Sequence, residues 1–295
     1  MSGEGQYLIS NDGTKIWADA CGDPSKPSVV FIHGLSCTAL AFERQFSDPE
    51  LLKNLYMIRY EMRGHGRSGH PEDFNSYASI RFAEDFKTVC DAYRLKKPFI
   101  CGWSMGGLVP VDVVDAYGAE KISGVLLPGG PMITRTLHHQ YIHPFMKENL
   151  PLFLKDSADI QAKAAVLFVE SCVENPSVSL PFETKIKWIG GYLMQSPSIR
   201  THIVTRTQDS ERWEREIKDI PVQIIQGELD RHSMTEKLIP VAKKYLPKLE
   251  LHIIEGVGHA PCFERPEQTN RLMLEFVQRF SLSSQLSPYV QRSLL

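Results

Sequence analysis

The segment PFICGWSMGG (residues 98–107) places an apolar run directly before a Gly-x-Ser-x-Gly motif. Pro98–Trp103 predicts a buried strand, and Ser104–Tyr117 predicts the helix that follows it. A sharp strand-to-helix turn crowds the backbone, so glycine suits the flanking positions because it lacks a Cβ atom. The turn also places Ser104 at a helix N-terminus, where free N–H groups stabilise negative charge. In this context Ser104 is a candidate nucleophile, and the alternative is a turn without chemistry.

Apolar runs predict further strands on both sides of this segment, and amphipathic stretches alternate with them. Such alternation is typical of a parallel sheet covered by helices. Near the N-terminus, a turn at Asn11-Asp12-Gly13 predicts a hairpin. The predicted strands are Tyr7–Ser10, Lys15–Cys21, Ser28–Ile32, Leu55–Tyr60, Pro98–Trp103, Ile122–Leu127, Val222–Gln226 and Leu251–Glu255. We therefore predict an α/β fold with a mostly parallel sheet flanked by helices.

The pattern changes between residues 131 and 220, where helical stretches occur without a convincing strand. These stretches are Pro144–Leu150, Ile160–Val173 and Phe182–Met194. A helical segment of this length between two sheet strands predicts a cap. We predict an α/β core from residues 1–130 and 221–280, a helical cap from residues 131–220, and a C-terminal tail from residues 281–295, where periodicity is lost.

The composition is that of an ordinary globular protein, with 42% hydrophobic residues, 23% charged residues and a formal net charge of -2. The sequence has no excess of basic residues, so it does not predict a nucleic-acid partner. It also has no apolar run that approaches the roughly 18 residues of a membrane span. The N-terminus lacks a secretory pattern, and the six cysteines are scattered, so we expect free thiols in a cytoplasmic protein. No metal cluster, dinucleotide fingerprint or P-loop is found, so we expect a small-molecule substrate without a cofactor or metal. The oligomeric state is not readable from the sequence.

A serine nucleophile needs a general base, and ten histidines compete for that role. His259 lies in a loop after the last predicted strand and before the closing helix Glu267–Phe280. Loops at the carboxyl ends of parallel strands gather around one site in such sheets. We therefore predict that His259 is the base.

The acid that orients this base is predicted to be Asp230, which follows the strand Val222–Gln226. Glu228 is the local rival, but its place in the turn gives it a different direction. The preceding strand ends in Pro128-Gly129-Gly130 and offers no carboxylate. The triad then has the chain order Ser, Asp, His, and we expect His232 at the rim of the site.

Attack on a carbonyl group also requires hydrogen-bond donors for the oxyanion. We assign this role to the backbone N–H groups of Leu35, which follows the strand Ser28–Ile32, and of Met105. His33 is interpreted as a structural imidazole that braces the same loop. Trp103, beside the nucleophile, is predicted to bind substrate, whereas most apolar side chains of the cap are predicted to pack.

With these motifs the chain resembles the α/β-hydrolase superfamily, specifically its capped, carboxylesterase-like branch. The resemblance runs from about Gln6 to Phe280, and it implies an eight-stranded sheet with the helical cap between the sixth and seventh strands. The motifs that carry it are His33-Gly34, the turn RGHGRS (residues 63–68), the motif around Ser104, Asp230 and Gly258-His259.

Two positions depart from the family pattern. Glu61 stands where family members carry an aspartate, and we expect the longer acid to change only the bracing of the loop. Pro110 removes a helical N–H shortly after Ser104, and it should bend that helix unless it falls within the first turn.

The serine implies an acyl-enzyme route, because epoxide hydrolases and haloalkane dehalogenases of this fold use a carboxylate at the same place. We expect a carboxylic ester hydrolase for a small or medium, largely apolar substrate, with lactones and thioesters as related substrates. The alternatives are a carbon–carbon bond hydrolase with the same triad and a hydrolase-fold ligand receptor with slow turnover.

Overall fold

The computed structural model describes the backbone of residues 5–290 and the side chains of residues 5–281. Within this range the chain forms eight strands and fourteen α-helices. The strands are β1 (Gln6–Ile9), β2 (Lys15–Gly22), β3 (Ser28–Ile32), β4 (Tyr56–Tyr60), β5 (Phe99–Gly102), β6 (Gly124–Pro128), β7 (Val222–Gly227) and β8 (Leu249–Ile254). The helices are α1 (Glu43–Phe46), α2 (Pro49–Asn54), α3 (Ser79–Ala92), α4 (Val109–Tyr117), α5 (Arg135–His138), α6 (Pro144–Phe153), α7 (Ala158–Ser171), α8 (Pro176–Ser179), α9 (Phe182–Met194), α10 (Pro197–Thr205), α11 (Glu211–Glu216), α12 (Thr235–Tyr245), α13 (Pro261–Glu264) and α14 (Pro266–Val290).

All eight strands belong to one sheet with the order β1-β2-β4-β3-β5-β6-β7-β8. β2 pairs antiparallel with both β1 and β4, and every other pair is parallel. The central strands are apolar without alternation, as in VVFI (residues 29–32), because helices cover both faces of the sheet. This arrangement confirms the predicted α/β fold, its eight-stranded, mostly parallel sheet and the N-terminal hairpin.

Apolar side chains on the two faces of the sheet form two separate clusters. In β3, Val30 and Ile32 belong to one cluster and Val29 and Phe31 to the other, since neighbouring side chains on a strand point to opposite faces. The strands β3 to β8 all run in the same direction. Their carboxyl ends therefore meet at one edge of the sheet, where the candidate site lies.

The helix after β5 begins in two steps. Residues Ser104–Leu108 form a 3₁₀ turn, and α4 continues from Val109. Pro110 lies in the first turn of α4, where a missing N–H costs no helical hydrogen bond. Pro110 therefore lies within the first turn, the position for which the sequence analysis expects no bend in the helix.

The segment between β6 and β7 carries α5 to α11, and we refer to residues 131–220 as the insertion. All of its residues are described, and none belongs to a strand of the sheet. The rings of Phe153, Phe168 and Tyr192 pack together inside it, with centroids 5.3 Å apart from one ring to the next. Helices thus occupy the place predicted for the cap, between the sixth and seventh strands. The boundaries of a separate cap domain stay a prediction.

The C-terminal helix is longer than predicted. The backbone of α14 is helical to Val290, whereas the sequence analysis ends the helix at Phe280 and expects a tail from residue 281. Serine and glutamine are tolerated within helices, so the loss of apolar periodicity does not end this one. The last five residues of the expected tail lie outside the described range. Between residues 5 and 290, no helix combines the length and apolarity needed to cross a membrane.

Candidate active site

Ser104 occupies a strained position at the start of the 3₁₀ turn, two residues after β5. Its φ is +55°, a left-handed value that is costly for a residue with a Cβ atom. A Cβ atom on Gly102 would lie 2.6 Å from the carbonyl oxygen of Gly106, and one on Gly106 would overlap the carbonyl oxygen of Ile32. Glycine is therefore required at both flanking positions, for the reason that the motif suggests.

The ends of the neighbouring strands hold this turn in place. The Trp103 N–H donates to the carbonyl oxygen of Ile32 in β3 (2.9 Å), and the Ser104 N–H donates to that of Gly129, just after β6 (3.1 Å). A Cβ atom on Gly34 would lie 3.2 Å from the Ser104 Cβ atom. The candidate nucleophile Ser104 is thus fixed between the loops that follow β3 and β6.

His259 and Asp230 form the buried acid–base pair that the sequence predicts. His259 precedes α13, and Asp230 follows β7. The His259 Nδ1 atom lies 3.0 Å from each carboxylate oxygen of Asp230. Glu228 is directed elsewhere, because its Oε2 atom accepts a hydrogen bond from the Gly256 N–H at the surface (3.1 Å). Of the two candidate acids, only Asp230 contacts the base.

Three groups besides His259 donate hydrogen bonds to the Asp230 carboxylate. The backbone N–H groups of His232 (2.7 Å) and Ser233 (3.2 Å) bind Oδ1, and the side-chain amide of Gln226 binds Oδ2 (2.9 Å). Burial would raise the pKa of Asp230, but His259 and the His232 N–H lower it to about 2. The carboxylate is therefore ionised at neutral pH, and it selects the His259 tautomer that carries its proton on Nδ1.

Gly130, two residues after β6, joins the nucleophile to this pair. Gly130 lines one cavity with Ser104, and a Cβ atom on it would overlap the His259 ring and lie 2.9 Å from Oδ2 of Asp230. Its N–H donates to Oε1 of Gln226 (2.9 Å), whose amide group also binds Asp230. The segment after β6 offers no carboxylate, and His259 and Asp230 instead pack against the backbone of its glycine, Gly130.

No hydrogen bond joins the Ser104 hydroxyl to His259 among the side chains described. Such bonds are often long in free enzymes and shorten only when substrate binds. Gly130 lies next to both residues, because it packs against the His259 ring and lines the same cavity as Ser104.

A mainly apolar cavity of about 130 Å³ borders Ser104. Its lining comes from the loop after β3, the turn at Ser104, the insertion and the loop after β7. The lining residues are Leu35, Ser104, Met105, Gly130, Met132, Arg135, His138, His139, Ile142, Met146, Leu150, Phe168, Val204 and His232. An apolar cavity of about 150 Å³ accepts a benzene molecule. This cavity therefore has room for a substituent of roughly that size.

The two predicted oxyanion donors line the same cavity. Across residues 5–290, the N–H groups of Leu35 and Met105 donate to no protein oxygen. Buried N–H groups without a partner are rare, so these two donors are available to an oxygen atom of a ligand. An oxyanion hole requires this arrangement beside the nucleophile.

His33 braces the oxyanion loop, as predicted. It is fully buried, its Nδ1 atom lies 2.8 Å from the Gly34 carbonyl oxygen, and its Nε2 atom accepts a hydrogen bond from the Met62 N–H (3.1 Å). Burial lowers the pKa of His33. Glu61 has a similar bracing role, because its carboxylate accepts hydrogen bonds from the backbone (2.6 Å) and guanidinium (2.7 Å) of Arg67.

Trp103 lies beside Ser104 but outside the lining of the cavity. The side chain is buried and is not part of the cavity lining, and its Nε1–H donates to the carbonyl oxygen of His259 (2.9 Å). Trp103 belongs to the same apolar cluster as Cys101, because residues two apart on a strand point to the same face. It therefore supports the His259 loop, and its predicted role in substrate binding stays a prediction.

His232 is buried rather than placed at the rim. Its ring stacks on that of His259, with centroids 3.8 Å apart and 28° between the planes, and its Nε2 atom lies 2.8 Å from Ser171 Oγ. Burial, reinforced by His259, lowers the pKa of His232 well below the usual range. The turn around the Asp230 carboxylate draws the residue inward, since the His232 N–H is one of its donors.

Arg135, His138 and His139 also line the cavity, and the sequence analysis does not single them out as site residues. The one available signal is a group of basic residues, RTLHH (residues 135–139), at the start of the insertion. Burial and the neighbouring His139 lower the pKa of His138 to about 3, so its imidazole is neutral near pH 7. In the described part of the chain, no three His, Cys, Asp or Glu side chains are grouped as metal ligands.

Comparison with known proteins gives consistent matches over nearly the whole chain. The sequence model of the alpha/beta hydrolase family matches residues 29–272. The AB hydrolase superfamily protein YisY of Bacillus subtilis is 23% identical over 280 residues, which cover 92% of this chain and 98% of that protein. A crystal structure described as a candidate aryl esterase from Burkholderia cenocepacia has a TM-score of 0.83 at 25% identity and covers 94% of this chain and 99% of its own. The esterase RhEst1 from a Rhodococcus species has the same TM-score and coverages at 23% identity.

Proposed function

Because the chain belongs to the alpha/beta hydrolase family, we propose that it is a serine hydrolase that cleaves a carboxylic ester, lactone or thioester. The observation that carries the proposal is the grouping of three elements around one cavity, two of which line it while the third packs against Gly130 of the lining. These are Ser104 in its strained turn, the buried His259–Asp230 pair, and the free N–H groups of Leu35 and Met105.

The geometry supports acyl transfer through Ser104. His259 accepts the hydroxyl proton as Oγ attacks the carbonyl carbon, and the N–H groups of Leu35 and Met105 bind the resulting oxyanion. The ionised Asp230 stabilises the imidazolium that forms. His259 then protonates the leaving group, and a water molecule activated by the same imidazole hydrolyses the acyl-enzyme.

The cavity supports a small, largely apolar substrate. Met132, Ile142, Met146, Leu150 and Phe168 provide most of its apolar lining, and its volume is about 130 Å³. Met146, Leu150 and Phe168 are among the apolar side chains of the predicted cap. We propose that the group held here is the acyl or alcohol part of the ester, with about four to six carbon atoms.

The proposal is tested by fluorophosphonate labelling combined with turnover of 4-nitrophenyl esters from acetate to decanoate. We expect labelling of Ser104, multiple turnovers, and the highest kcat/KM for short acyl chains. Ser104→Ala should lose both labelling and turnover, while the exposed control Ser198→Ala keeps both. Normal ester turnover by Ser104→Ala would refute the proposal. A single burst of product without further turnover would favour the slow-turnover receptor.

A carbon–carbon bond hydrolase is the second candidate, and one observation favours it. Such enzymes need polar groups around the reacting chain in addition to the triad, and Arg135, His138 and His139 provide them in this cavity. Cleavage of a vinylogous 1,5-diketone acid, with no turnover of any ester in the panel, would select this function over ester hydrolysis.

A further inference from the structure

The ionisable side chains that line the cavity are all basic. Besides the Ser104 hydroxyl, its ionisable side chains are Arg135, His138, His139 and His232, and no aspartate or glutamate is among the lining residues. Because His138 and His232 are neutral near pH 7, Arg135 supplies the permanent charge. The cavity is therefore apolar with a cation in its wall.

Arg135 has no acidic partner within ion-pair distance among the described side chains. Its guanidinium donates to the carbonyl oxygens of Ile203 (3.5 Å) and Val204, near the end of α10. These two contacts leave several of the five guanidinium N–H donors without a partner. Val204 also lines the cavity, so the guanidinium lies beside the space that a substrate enters.

Three buried arginines of this chain satisfy their donors, whereas Arg135 is half-buried. Arg206, a close neighbour, forms an ion pair with Asp112 (2.7 Å), and Arg63 pairs with Asp85 (2.7 Å). Arg200 has no carboxylate but donates to six oxygen atoms. Arg135 differs from all three because it has no carboxylate partner and only two oxygen atoms accept hydrogen bonds from its guanidinium.

The surroundings of Arg135 make an anion favourable there. Burial, together with Arg206, lowers the pKa of Arg135 to about 10, and the side chain still carries its charge at pH 7. Arg135 is half-buried, and the buried part of an unpaired cation is unfavourable. An anionic group that enters the cavity would form the ion pair that the protein itself does not provide.

We propose that the preferred substrate is an ester that carries a second, free carboxylate, and that Arg135 binds this carboxylate. The inference rests on the proposed ester hydrolysis and adds the charge class of the substrate. Guanidinium groups recognise carboxylates through two parallel hydrogen bonds. The triad would then act on the ester bond while Arg135 holds the charged end of the same molecule.

Two esters of matched length test the proposal, namely monomethyl glutarate, which is anionic, and methyl pentanoate, which is neutral. We expect the wild-type protein to have at least a tenfold higher kcat/KM for the anionic ester, measured by pH-stat titration. Arg135→Gln should lower the anionic-to-neutral ratio by about 30-fold or more, through KM, because it removes one partner of a buried charge pair. Arg135→Lys should restore part of the ratio, and the surface control Arg215→Gln should leave it at the wild-type value.

A binding measurement separates this inference from the proposed function. Glutarate should raise the Tm of wild-type protein and of Ser104→Ala, and it should not raise that of Arg135→Gln. A wild-type preference for methyl pentanoate, or an equal loss on both esters in Arg135→Gln, overturns the inference and leaves ester hydrolysis intact. If neither ester is hydrolysed and the fluorophosphonate does not label Ser104, the proposed function fails, and the glutarate shift alone then decides whether the cavity binds anions.

Discussion

The contact between Gly130 and the triad makes Gly130→Ala the most informative single substitution. A Cβ atom here would overlap Cε1 and Nδ1 of the His259 ring, far inside the 3.0 Å that real Cβ contacts respect. Restoring normal contact requires the ring to move by about 1 Å or more. His232 stacks on one face of the ring and Trp103 packs nearby, so the ring has little space to retreat.

The expected effect on catalysis is large, and the effect on folding is moderate. A displacement of about 1 Å in a catalytic group costs on the order of 100-fold in rate, so we expect kcat to fall at least 100-fold. The backbone φ of +47° adds about 1–2 kcal/mol of strain for alanine. This strain should lower Tm by a few degrees without preventing folding.

The assay compares kcat on 4-nitrophenyl butyrate, the rate of fluorophosphonate labelling and Tm for both the variant and the wild-type protein. Gly190→Ala is the matched control, because a Cβ atom there meets nothing within 4 Å and the residue lies inside α9. The control should keep full activity and gain about 0.5–1 kcal/mol of stability. A Gly130→Ala protein with the wild-type Tm and kcat within threefold of wild type would refute the reasoning.

Two further substitutions test the acid and the buried histidine. Asp230→Asn should lower kcat on the order of 10⁴-fold, as expected for loss of the acid in a Ser-His-Asp triad. Glu228→Gln should keep kcat within about twofold of wild type, because the Glu228 carboxylate binds only the surface Gly256 N–H in the described structure. A large loss of kcat in both variants would show that the choice of acid is wrong. His232 is held neutral in the folded state, so as pH falls below the unfolded value of about 6.5 only the unfolded state gains the proton, and stability falls. His232→Asn should therefore reduce the slope of the unfolding free energy against pH by about 1 kcal/mol per pH unit on average between pH 6.5 and 5, measured by urea denaturation. An unchanged slope would contradict a neutral, buried His232.

The parts of the site that follow from local backbone rules were predictable from the sequence. The turn at Ser104 needs glycine on both sides, and the loops with Asp230 and His259 must follow parallel strands. These constraints act within a few residues or through the sheet as a whole. They predict the fold and bring the acid and base together, although they cannot fix side-chain directions.

Side-chain direction explains the observed positions of Trp103 and His232. Trp103 shares a sheet face with Cys101, and the two-residue period of a strand could have revealed this. His232 turns inward because an aspartate often accepts hydrogen bonds from N–H groups two and three residues later, a pattern of Asx turns. Arg135 and His138 reach the cavity through tertiary packing of the insertion, and no local rule predicts such a contact.

The insertion also contacts the loop of the predicted oxyanion donor Leu35 through a buried arginine. Arg200 donates to the Ser36 hydroxyl (2.8 Å), and that hydroxyl donates to Gln195 (2.7 Å) in the insertion. Ser36 follows the oxyanion donor Leu35 and has a strained φ of +53°, which persists only where surrounding contacts enforce it. The other oxygen atoms that Arg200 binds belong to the insertion. The position of the Leu35 N–H therefore depends on a folded insertion, so the segment that shapes the substrate cavity also sets the geometry of the oxyanion donor.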